Sequence, residues 1–267
     1  MINFLKNNLK ITINYIKYNS LYKETKKLRK SKTTKKLFLF GNGNSIKLID
    51  PYKILQLQKK GFEVMTTNSF LYSKIGKIIR PDYYVLSDHR LINPSQKFFD
   101  KTINKQITFS NSILKKLNTI IFLPSDFYGK HSFLNKIYYF NNLEINNKNF
   151  DNITKPRCYH SMTGLKAMSI ACYLGYKEIY LCGFDNDQWT TIKVDQYNNI
   201  FNQRSHFYGN QKYYKFDHKI QIGSFLKKFA EIFENYELFK SYKIVNLDKN
   251  SLIDSFSKKH NLNVYKK

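Results

Sequence analysis

Short apolar runs recur along the chain, and most of them close on glycine, proline or a small polar residue. Leu37–Phe40 runs into Gly41, Phe62–Asn68 ends polar, and Tyr83–Leu86 gives way to Ser87-Asp88. Thr119–Leu123 stops at Pro124, Glu178–Cys182 at Gly183, and Tyr242–Asn246 ends in an amide. Runs this short, without alternation, predict strands buried on both faces. Helical spacing lies between them. Leu165, Met168, Ser169, Cys172 and Tyr173 recur at three and four residues, and Gly175 follows as a residue free to take positive φ. A second helix is expected from about Ile220 to Glu237, with Phe225, Phe229, Ile232 and Phe233 on its apolar side, and a short terminal helix over Ser251–Phe256. Strand, turn, helix, strand in repetition predicts an α/β protein: a mostly parallel sheet flanked by helices, in a single Rossmann-like nucleotide-binding domain.

Polar residues gather where these strands end. Asn42, Asn68, Asp88 and Asp185 each follow a predicted strand, so parallel strands would bring all four to one sheet edge. The first exit reads Gly41-Asn42-Gly43-Asn44-Ser45, with Ser45 a candidate cap for a short helix. Glycine turn and helix start together can cradle a phosphate, Gly41 and Gly43 allowing close backbone approach and Asn42 bonding a ligand. The GxGxxG fingerprint is absent because position 46 is Ile, and an ordinary βα turn is the plainer alternative. The stretch Met162–Asp187 predicts helix, tight turn, buried strand and then the polar loop Asp185-Asn186-Asp187. Such a loop can hold a ribose, a sugar hydroxyl, a metal or a reacting proton, or be a solvated turn.

Composition narrows the function classes. The formal charge is +26, but only Arg29, Arg80, Arg90, Arg157 and Arg204 are arginines. Base-edge readout favours Arg, so specific nucleic-acid binding is not expected, and an anionic membrane face or acidic sugar nucleotides suit the lysines better. Cys158, Cys172 and Cys182 form no CxxC pair and read as reduced core thiols of a cytosolic protein. Neither a signal peptide nor a membrane-spanning run of about eighteen apolar residues is expected. Residues 1–36 read as a basic leader, Leu5, Leu9, Ile13 and Ile16 sharing one face if it is helical; helix and strand both fit. The α/β domain is expected over 37–256, with irregular, lid-like inserts at 127–160 and 188–216, and a basic tail over 257–267.

The ordered landmarks resemble the bacterial sialyltransferases of glycosyltransferase family 42. The landmarks are Gly41-Asn42-Gly43-Asn44-Ser45 after the first strand, Asn68 after the second and the small-residue turn Met162-Thr163-Gly164. Next come Leu174 through Asp185, Ser205-His206-Phe207-Tyr208-Gly209 and Asn250-Ser251-Leu252. The resemblance spans about residues 37 to 256. It implies one GT-A-like domain that binds a CMP-activated sialic or related nonulosonic acid and needs no metal. Gly41, Asn42, Gly43, Ser45, Asn68, Thr163, Gly164, Asp185, Asp187, Tyr208 and Asn210 would lie around the donor. Three positions depart from the family pattern: Asn210 stands where the family keeps its basic His, Asp187 where it keeps a phosphate-binding Tyr, and Asp88 where it keeps an Asn. An amide is no base, so His206 or Asp88 is the expected general base, with Asp185 bonding hydroxyls. Asp88 and Asp185 together could hold a divalent cation such as Mg²⁺. The expected partners are a nucleotide-sugar donor, a glycan or glycolipid acceptor and the inner face of the cytoplasmic membrane; self-association is left open. The alternatives are a Mg²⁺-dependent pyrophosphokinase or a flagellin-glycosylation accessory protein of the same fold, or a sugar-nucleotide binder without catalysis.

Overall fold

The computed structural model describes residues 2–88, 118–129, 136–203, 213–215 and 221–266. In chain order the strands are β1 (Lys36–Phe40), β2 (Phe62–Thr67), β3 (Tyr83–Val85), β4 (Ile120–Pro124), β5 (Ile137–Phe140) and β6 (Glu178–Cys182). Three short strands follow, β7 (Lys193–Val194), β8 (Ile200–Gln203) and β9 (Tyr213–Lys215), before β10 (Ile244–Asn246). The main sheet has the order β10-β6-β1-β2-β3-β4-β5 with every pairing parallel. The fold is therefore the α/β, parallel-sheet class that the apolar runs predict. β7 to β9 form a separate antiparallel ribbon inside the 188–216 stretch.

Both faces of the sheet are covered, which explains the unbroken apolar runs. Leu37, Leu39, Met65, Val85, Ile179 and Leu181 point to one face. There they pack against α5 (Thr163–Leu174) and α6 (Ile222–Glu237). Phe38, Phe40, Val64, Tyr84, Tyr180 and Cys182 point to the other, towards α3 (Pro51–Lys59), α4 (Lys74–Ile78) and the buried Phe70 and Phe127. α5 is buried from Leu165 to Leu174 and ends at Gly175, whose φ of 82° is the left-handed cap expected there.

The chain builds outward from β1 to β5, then crosses back to lay β6 on the other side of β1. The sheet thus switches direction between β1 and β6, and such a switch opens a crevice at the carboxyl ends of the strands.

Several local expectations change. Residues 44–48 form a 3₁₀ turn rather than an α-helix, and Gly43, not Ser45, precedes it as the cap. Ser251–Phe256 is not helical: Ser251 Oγ donates to the Phe184 carbonyl, and the Leu252 N–H donates to the Asp185 carbonyl. Cross-chain bonds there replace the ladder a helix would need. Within 127–160, Ile137–Phe140 forms the edge strand β5. The leader is helical, with α1 (Ile2–Tyr18) and α2 (Tyr22–Lys27). α2 covers the β5 edge through Tyr22, which donates to Ser125 Oγ (2.9 Å), and Thr25, which donates to the Tyr139 carbonyl (2.9 Å). Cys158, Cys172 and Cys182 are unbridged.

Candidate functional site

The crevice begins at the turn after β1. The Gly41 N–H donates to the Cys182 carbonyl (2.8 Å) and the Gly43 N–H to the Gly183 carbonyl (2.9 Å), so the exits of β1 and β6 are stitched together. Gly43 has an ordinary φ of −71°, and its need for glycine is spatial. A Cβ there would lie 2.6 Å from the Asp185 carboxylate.

Asp185 sits behind this turn and is only 8% exposed. One carboxylate oxygen accepts the Ser45 N–H (2.9 Å), and the other accepts the Ser45 hydroxyl. Burial pushes its pKa up to about 6, Ser45's hydrogen bonds oppose the rise, and the neighbouring Asp248 carboxylate adds to it. In this arrangement Ser45 clamps Asp185, so its amide is not offered to a phosphate, and the carboxylate faces the turn. A cavity of about 450 Å³ adjoins the clamp on the β10 side, lined by Ser45, Gly183, Leu247, Asp248, Lys249 and Asn250 among others.

On the β2–β3 side a polar cluster forms. Asn68 takes a positive φ of 42° at the β2 exit. Its Nδ2 donates to Thr163 Oγ1 (2.9 Å), and its Oδ1 accepts the N–H groups of Ser87 (3.2 Å) and Asp88 (3.4 Å). Ser87 Oγ lies 2.6 Å from Thr163 Oγ1. Asn42 Nδ2 reaches Thr67 Oγ1 (3.2 Å), tying the first exit to the second. Asn42, Asn68, Asp88 and Asp185 thus lie at the carboxyl ends of parallel strands as expected, and Thr163 joins Asn68 there. Gly164 lets α5 start close to β6, since a Cβ there would lie 3.0 Å from the Phe184 ring. Among the described residues no side chain caps the α5 N-terminus, and Thr163 brings that positive dipole end beside Asn68 and Ser87.

Asp187 is half-buried and begins a 3₁₀ turn, its carbonyl accepting from Thr190. Beside it, Asn186 takes φ 53° and accepts the Tyr236 hydroxyl (3.3 Å), while its Nδ2 is buried without a partner among the described residues. His206, Tyr208 and Asn210, with Arg204 and Ser205, lie outside the described residues. His160 is held between Glu144 (3.4 Å) and Glu231 (2.8 Å).

Three residues of this edge were not singled out from sequence. Ser87 has only its place beside Asp88 as a signal. Lys166, one turn into α5, is 2% exposed, and its Nζ lies 5.9 Å from the centre of the Phe140 ring at the β5 exit. Burial, then the charge of Arg157, brings its pKa down to about 8, against the attraction of Asp126, Glu144 and Asp88. Arg157 is 4% exposed and donates to Glu144 (2.9 Å) and to the carbonyls of Tyr159 and Asn142, yet its Nε is buried without a partner among the described residues. A lysine at helical spacing from Thr163 was the available clue.

Among solved structures, the Maf glycosyltransferase from Magnetospirillum magneticum AMB-1 aligns over 88% of this chain with a TM-score of 0.51 and 11% identity. The chain shares its fold with a glycosyltransferase. It spans 35% of that protein's length. The sialyltransferase CST-II, in complex with a trisaccharide acceptor and CMP, aligns over 87% of this chain and 91% of its own, at 19% identity and TM-score 0.45. CstII from Campylobacter jejuni, in complex with a substrate analogue, cytidine-5'-monophosphate, aligns over 88% of this chain and 90% of its own, at 19% identity and TM-score 0.43. Likeness at those scores assigns no residue a role. No protein-family model and no curated protein matches the sequence.

Proposed function

We propose that the protein is a glycosyltransferase that moves a sialic or related nonulosonic acid from a CMP-activated donor to a surface glycan or lipopolysaccharide acceptor. The observation that carries this reading is the convergence at the switch of a parallel sheet. The Gly41–Ser45 turn, Asn42, Asn68, Ser87, Asp88 and the uncapped start of α5 meet there, in the order of the sialyltransferase motifs. The fold shared with the Maf glycosyltransferase supports the reaction class.

In this reading the Asn68–Thr163–Ser87 cluster and the first amides of α5 bind donor oxygens, and the dipole of α5 favours the departing phosphate. Asp88 or His206 takes the proton of the acceptor hydroxyl as the glycosyl–phosphate bond breaks. Asp185 holds the turn in shape through Ser45. No metal enters the reaction. The test is thermal-shift binding of CMP, UDP, GDP and ATP, each with and without Mg²⁺, followed by transfer assays on Asp88→Asn and His206→Ala. Preferential binding of CMP without metal supports the reading, and a preference for ATP with Mg²⁺ overturns it in favour of a pyrophosphokinase-type reaction. A base identity requires at least a hundredfold loss of transfer in one of the two variants.

We propose further that the reaction takes place at the inner face of the cytoplasmic membrane. Leu9, Ile13 and Ile16 are 60%, 55% and 78% exposed on α1, with Lys10 and Lys17 also exposed. Apolar residues beside lysines suit an anionic lipid surface. Among the described residues no helix is long and apolar enough to cross a membrane. Co-sedimentation with vesicles rich in anionic lipid, lost with purely zwitterionic vesicles and in Leu9→Ser/Ile13→Ser/Ile16→Ser, tests this placement.

A further inference from the structure

A buried ammonium group is normally paired, because removing its charge from water costs several kcal/mol. Lys166 is 2% exposed, yet it has no hydrogen bond or ion pair among the described residues; its Nζ lies 5.9 Å from the centre of the Phe140 ring. The guanidinium of Arg157 aggravates that cost, and Arg157 itself keeps a buried Nε–H without a partner among the described residues. Three carboxylates, Asp126, Glu144 and Asp88, attract Lys166 through space, and Glu144 is also bonded to Arg157. Lys166 Nζ lies over the Phe140 ring, and Arg157 bonds Glu144 and the Asn142 carbonyl, so both cations sit at the exit of β5. Thr163, three residues before Lys166 on α5, carries the hydroxyl that meets Asn68 and Ser87, so Lys166 adjoins the polar cluster.

We propose that Lys166, backed by Arg157, forms a buried subsite for an oxyanion of the donor, a carboxylate or a phosphate, at the floor of the Asn68–Thr163–Ser87 cluster. This identification of the donor rests on the glycosyltransferase reading. The cationic pocket itself rests only on the two side chains. An entering oxyanion takes up the Lys166 N–H donors and the Arg157 Nε–H, and it relieves the repulsion between the two cations. A nonulosonic acid carries the required carboxylate on the carbon that is transferred, and CMP carries the phosphate that leaves.

Calorimetric binding to the full chain separates the cases. The ligands are CMP, a non-transferable CMP-nonulosonic acid, the free nonulosonic acid and inorganic phosphate, each with wild type, Lys166→Met and Lys166→Arg. The expected result is at least tenfold weaker binding of the CMP-nonulosonic acid to Lys166→Met, with substantial recovery in Lys166→Arg. If CMP and phosphate weaken equally, the oxyanion is the phosphate; if only the two sugar acids weaken, it is the carboxylate. Wild type that binds phosphate or the free sugar acid through Lys166 but ignores every CMP ligand refutes the CMP-donor reading and leaves the oxyanion pocket standing. Lys166→Met that is folded and binds all four ligands as wild type does, or wild type that binds none of them, overturns the subsite.

Discussion

Replacing Lys166 with methionine keeps most of the side-chain volume and removes a buried charge. In the wild type the group's pKa is brought from 10.5 down to about 8 by burial first and by Arg157 second. The gap, at about 1.4 kcal/mol per pH unit, corresponds to about 3 kcal/mol by which folding disfavours the charged lysine. The sign follows from a lowered basic pKa. Below about pH 8 the group is charged in both the folded and the unfolded chain, and the whole cost is present. Above pH 10.5 it is neutral in both, and the cost is gone. Linkage leaves about 1.4 kcal/mol of it at pH 9.5. Lys166→Met should therefore be more stable than wild type by about 2–3 kcal/mol at pH 7, with the gap at least halved at pH 9.5. Urea unfolding followed by circular dichroism at both pH values measures this through the linear extrapolation to water. A variant no more stable than wild type at pH 7, or a gap unchanged between the two pH values, would refute the claim that this cation is buried without compensation. A residue retained at such a cost to the fold fits the oxyanion subsite, because binding residues are where sequences depart from the most stable choice.

Asp185 gives the opposite titration. Its pKa is raised to about 6, so its contribution is most favourable below pH 3.8 and is lost as pH rises through 6. Wild type should gain about 1.3 kcal/mol from this group between pH 7 and pH 5, and Asp185→Asn should flatten that gain in the same unfolding assay. Gly43→Ala forces a Cβ into the Asp185 carboxylate and should cost about 1–3 kcal/mol, read as a fall in Tm of several degrees; an unchanged Tm would show that the turn is loose. Asn68→Ala removes both the donor to Thr163 and the acceptor for the Ser87 and Asp88 amides. It should weaken CMP binding at least tenfold by calorimetry, and wild-type affinity would remove the cluster from the binding site.

The sheet was legible because each strand is short, apolar and buried on both faces, so local composition and tertiary burial say the same thing. Glu178–Cys182 and α5 lie where their pattern puts them, and Gly175 ends the helix in the left-handed conformation its position implied. Ser251–Phe256 was misread because its pattern fits a helix, while the bonds it makes are to Phe184 and Asp185, about seventy residues away. β5 was hidden in an aromatic, Asn-rich stretch, since an edge strand is defined by what it pairs with and what covers it.

For the site, the sequence by itself determined which residues end the strands. Asn42, Asn68, Asp88 and Asp185 had to share an edge once the strands were parallel, because a parallel sheet sends every carboxyl end the same way. Tertiary structure alone decided what each one does there. It turned Asp185 back onto Ser45, joined Asn68 to Thr163 and Ser87, and buried Lys166 beside Arg157. Those outcomes depend on distances between segments far apart in the chain, and neither spacing nor composition encodes them.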